Sequence, residues 1–63
     1  MSKIITVSLA INEDEAWTLA QFVKRVTWSE MRACAQDEAE AELIRAGITS
    51  LQTALKDAGF APR

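Results

Sequence analysis

Three times in this chain a short polar residue is followed three positions later by a glutamate: Asn12 with Glu15, Thr27 with Glu30, and Asp37 with Glu40. Each pair is a local signature of a helix start. The first side chain can accept from the backbone N–H of the third helical residue, and the glutamate can answer the N–H of the first. A chain marked in this way is divided into helices before any long-range contact is considered. The spacing predicts helices over 13–26, 28–36 and 38–58.

Apolar periodicity supports the first of these. At about 100° per residue, Ala16, Leu19, Ala20, Val23 and Val26 share one stripe, with Asp14, Thr18, Gln21 and Arg25 opposite. From Trp28 to Ala58 no proline intervenes, and propensity alone permits one long helix. The phase of the apolar residues argues for a break. Met31, Cys34 and Ala35 would lie roughly 150° from Ile44, Ile48, Leu51 and Leu55 on one straight helix. The break is expected at Gln36 and Asp37; the alternative is a continuous helix whose halves touch different bodies. Gly59 and Pro62 mark the end, with Phe60 folding back on Leu55. Positions 44, 48, 51, 55 and 58 form a heptad-like seam, with Ala41, Gly47 and Ala54 small enough to let another helix approach, so this seam is an alternative homodimer contact. Phe22 and Phe60 are assigned to the core, and Cys34 to an inert, buried position.

Ahead of the helices, Lys3 to Leu9 reads KIITVSL, with Ile5, Val7 and Leu9 on one side and Ile4, Thr6 and Ser8 on the other. Such alternation of β-branched residues predicts a strand over 3–9. No second strand follows. A lone strand leaves its backbone groups unpaired, so pairing with the same strand of another chain is expected. The expected fold class is mostly α with one N-terminal β-strand, in the order β-α-α or β-α-α-α, the strand paired between chains in a homodimer of ribbon-helix-helix type.

Length and composition limit the chemistry. Sixty-three residues form one small domain, 1–63, and such a domain buries only about 60% of its unfolded surface, which calls for a staple. With no histidine and one cysteine, neither an intrachain disulfide nor a Cys/His zinc site can form, and no calcium-loop spacing is present. Association is the staple that remains. Neither glycine lies in a phosphate-binding frame, and Cys34 has no histidine to act as its base, so no enzyme activity, cofactor, metal or small-molecule substrate is expected. No apolar run is long enough to span a membrane. Met1 to Leu9 is too short an apolar stretch for a secretory signal, and a single cysteine suits a reducing, cytoplasmic setting.

The candidates that remain are for binding. Asp37, Glu38, Glu40 and Glu42 make an acidic start to the last helix, with Glu38 and Glu42 repelling at i,i+4 and Arg45 close enough to relieve Glu42. Trp17 lies off the first stripe and Trp28 opens the second helix, and tryptophan is enriched at binding hot spots. Trp17, Trp28, Glu38 and Glu42 are therefore the candidate contacts to a protein partner. The order of elements resembles the ribbon-helix-helix family, which implies that outward residues of the paired strands, here Ile4, Thr6 and Ser8 with Lys3 nearby, would contact DNA, although Ile4 is a poor base reader. An isoelectric point near 4.9 and the lack of a basic arm make DNA binding the alternative.

The stretch EDEAWTLAQFVKRVTWSEMR, the DEAEA segment and the terminal AGFAPR resemble a second family, of short uncharacterised proteins met in proteobacteria and their phages. This resemblance spans Glu13 to Arg63. It implies a mobile-element accessory protein, by analogy one that modulates a host complex or inhibits a defence system, and it brings no site residues.

Overall fold

In the computed structural model, residues 3–62 are described, so Met1 and Ser2 of the leader reading and Arg63 of the expected 1–63 domain lie outside them. Three helices follow an extended arm: α1 (Glu13–Arg25), α2 (Trp28–Ala33) and α3 (Glu38–Asp57).

Each helix starts where its polar pair lies. The Glu15 N–H donates to Asn12 Oδ1 at 2.8 Å, and the Asn12 N–H donates to Glu15 Oε1 at 3.0 Å. Thr27 and Glu30 exchange the same two bonds at 3.2 and 3.0 Å. At α3 the Glu40 N–H donates to Asp37 Oδ1 at 2.8 Å, with Asp37 extended at φ −151° and ψ 178°. The end of α3 is equally local. The Gly59 N–H reaches the Lys56 carbonyl at 2.9 Å and the Phe60 N–H reaches that of Leu55 at 2.8 Å, the Schellman pattern, made accessible by φ +101° at Gly59.

α3 is the spine of the fold. Both α1 and α2 pack on it, and among the described residues they do not pack on each other. Leu55 joins Ala16, Ala20 and Val23 of α1 in the core, with Ile11, Leu19, Ile48, Leu51 and Phe60 closing its edges. Met31 of α2 and Ala41 of α3 are also buried.

Four expectations are corrected. The predicted strand over 3–9 is absent: residues 3–12 carry no helix or strand, and the chain is α-helical without a β-element among the described residues. Among the described residues no backbone–backbone hydrogen bond involves residues 3–11. The alternation reflects something else. Ile5, Val7 and Leu9 all line one groove against α3, whereas Ile4, Thr6 and Ser8 do not. A segment that turns alternate side chains toward one side shows the same two-residue period as a strand without pairing as one. The β-α-α class and the strand-paired, ribbon-helix-helix-like homodimer fall with the strand.

Helix α2 is also shorter than expected, ending at Ala33 rather than Gln36. An N-cap must be extended, so Asp37 forces the preceding residues out of the helix. The Cys34 N–H is shared between the carbonyls of Glu30 and Met31 at 3.3 and 3.2 Å as the turn tightens. Cys34 is consequently exposed, not buried. Lastly, Phe22 is 54% exposed. Both it and Trp17 lie at edges of an apolar arc on α1 that is wider than α3 can cover.

Candidate interaction site

The indole of Trp28 is half-buried at the first position of α2. Above it, at 5.1 Å from the ring centroid, lies the Arg45 guanidinium carbon, one face of a cation–π pair. The same guanidinium donates from Nη2 to Glu42 Oε2 at 2.7 Å, both side chains remaining more than half exposed. Glu42, Arg45 and Trp28 thus form one connected cluster where α2 crosses the first half of α3. Glu42 precedes Arg45 by one helical turn, which brings the pair together within the helix. Packing of α2 on α3 then sets the indole beneath.

Glu38 sits one turn before Glu42, in the first turn of α3, and is exposed. It shares its face with Glu42 at i,i+4. Of the four acidic residues at this helix start, Asp37 is occupied by its capping bond and Glu42 by Arg45.

Trp17 belongs elsewhere. Its ring meets that of Phe60 edge-on, with centroids 5.0 Å apart and planes at 73°, and it remains 40% exposed. Phe60 follows the far end of α3, and at about 1.5 Å per residue Arg45 and Asp57 are separated by about 18 Å along the axis. The four expected partner contacts therefore divide into Trp28, Glu38 and Glu42 at one end and Trp17 at the other.

Lys3, Thr6 and Ser8 are all exposed on the arm. Among the described residues no paired ribbon presents them. Among the described residues no cluster of three metal-ligating side chains occurs. No described helix is long and apolar enough to cross a membrane.

Sequence reasoning paired Arg45 with Glu42 but missed its contact with Trp28, seventeen positions away, because no local signal reports a helix crossing. It missed the pairing of Trp17 with Phe60 for the same reason. Comparison with curated proteins and with solved structures finds no match. The model of the Family of unknown function (DUF7706) matches residues 1–63, the whole chain, and the protein belongs to that family.

Proposed function

We propose that this protein is a small, non-enzymatic protein-interaction module, and that Trp28, Glu38 and Glu42, with Arg45, form its contact to a protein partner. The observation that carries this is the cluster itself: Arg45 is held between Glu42 at 2.7 Å and the Trp28 ring at 5.1 Å, yet stays at the surface. Tryptophan and arginine supply most hot-spot energy in protein interfaces, and side chains already fixed lose less entropy on binding. Glu38 and its neighbours give this end of α3 a negative field that favours a basic partner surface. Trp17, at the opposite end, lies outside this contact. The mobile-element resemblance makes a host or defence complex the partner class, acting in the cytoplasm, where a lone thiol stays reduced.

The test is capture from host lysate on immobilised wild-type protein and on the Glu38→Lys/Glu42→Lys variant. Loss of the captured set with helicity retained supports the polar face as the contact. An identical set from both proteins removes it.

A further inference from the structure

The arm and the second half of α3 leave an apolar face uncovered. Ile5, Val7 and Leu9 are 75%, 77% and 59% exposed. Between the arm and α3 runs a groove of about 730 Å³, lined among others by Ile5, Val7, Leu9, Leu51, Ala54 and Phe60. We propose that a second copy of this chain covers this face, giving an isologous two-fold dimer in which the α3 helices approach each other beside Gly47.

Area supplies the first reason. The chain exposes 5332 Å², where a folded monomer of 7.0 kDa is expected to expose about 4,000 Å²; the surplus of about 1,300 Å² exceeds the roughly 800 Å² that each partner contributes to a standard interface. Its radius of gyration, 12.6 Å, is likewise above the value of about 11 Å for a compact chain of this length. The core explains the deficit: of six buried apolar side chains, Ala16, Ala20 and Ala41 are alanines. Further burial must come from outside.

Gly47 supplies the second reason. It lies inside α3 and on the groove, and a Cβ placed there would meet nothing within 4 Å. Glycine is unfavourable inside a helix, and no contact within the chain calls for it. An approaching helix would call for it, since small residues at a crossing let two axes come close. Charge supplies the third reason and permits a like copy. From Ile4 to Asn12 the arm carries no ionisable side chain, and the groove's lining includes one, Glu13. Two identical faces can therefore meet with little like-charge repulsion, which a face carrying the acidic start of α3 would not allow.

The experiment is sedimentation equilibrium over a micromolar range, with helicity followed by circular dichroism. Wild type is expected near twice 7.0 kDa. Gly47→Leu adds a better helix former at a position where a Cβ meets nothing within 4 Å in the single chain, so it should keep its helicity while its dissociation constant rises at least about tenfold. Val7→Asp, on the helix-free arm, should weaken association similarly. Glu38→Lys/Glu42→Lys disables only the polar face and should leave the dimer intact, so this inference and the proposed function fail separately. A wild-type mass of 7.0 kDa at every concentration overturns the dimer and leaves the groove to solvent or to a different protein. A Gly47→Leu protein that associates as wild type does overturns the α3 seam, as does a polar-face variant that becomes monomeric.

Discussion

Leu55 is the side chain on which the joint between α1 and α3 depends. It is 7% exposed and is the largest member of a core whose other buried members are Ala16, Ala20 and Val23. Leu55→Ala removes about three methylene equivalents at about 0.8 kcal/mol each, and the cavity left behind adds to this. The added term is small here, because the half-buried neighbours Ile48, Leu51 and Phe60 can settle into the space. A loss of about 3 kcal/mol results. A core this small rarely supplies more than about 3–5 kcal/mol in all, so about 0–2 kcal/mol remains and the variant should lie between roughly half and a few per cent unfolded at ambient temperature. Urea titration followed by far-UV circular dichroism, at one fixed protein concentration, measures the difference. Leu43→Ala is the internal comparison: its side chain is 71% exposed, and its loss should stay within about 0.5 kcal/mol. A Leu55→Ala loss below about 1 kcal/mol, or one matching Leu43→Ala, would refute Leu55 as the anchor of α1.

Two further outcomes follow from the helix ends. Thr27→Ala removes both the acceptor for the Glu30 N–H and the hydroxyl bonded to Glu30 Oε1, and should cost about 1 kcal/mol. Because α2 has only six residues, faster amide exchange confined to residues 28–34 would locate the loss, and unchanged exchange there would contradict it. Gly59→Ala meets no steric obstacle, since nothing lies within 4 Å of the new Cβ, so its cost is the left-handed backbone alone, about 1 kcal/mol. A neutral result in thermal unfolding would show that the α3 terminus shifts rather than strains.

The division between local and non-local information can be followed residue by residue. Asn12, Thr27 and Asp37 all cap helices because each finds its N–H partner three positions on. The Glu42–Arg45 pair and the fold-back of Phe60 on Leu55 are short-range in the same sense, and they too were readable in advance. Trp28 with Arg45 and Trp17 with Phe60 were not, because their meeting depends on which faces of α1 and α2 settle on α3. Phe22 shows the same limit from the other side: its apolar character invites burial, but helical phase places it beyond the strip that α3 covers.

By itself, then, the amino-acid sequence determined where helices begin and where α3 stops, since capping and glycine geometry are satisfied within a few residues. It also determined the two-residue alternation of Ile5, Val7 and Leu9. Whether that alternation became a strand was decided by tertiary structure alone. A strand exists only if another backbone supplies hydrogen bonds to its edge, whereas here the apolar row forms one wall of an open groove whose other wall includes Leu51, Ala54 and Leu55 of α3. The arm therefore borders a groove, and its side chains follow the pattern of a strand while its backbone forms no sheet.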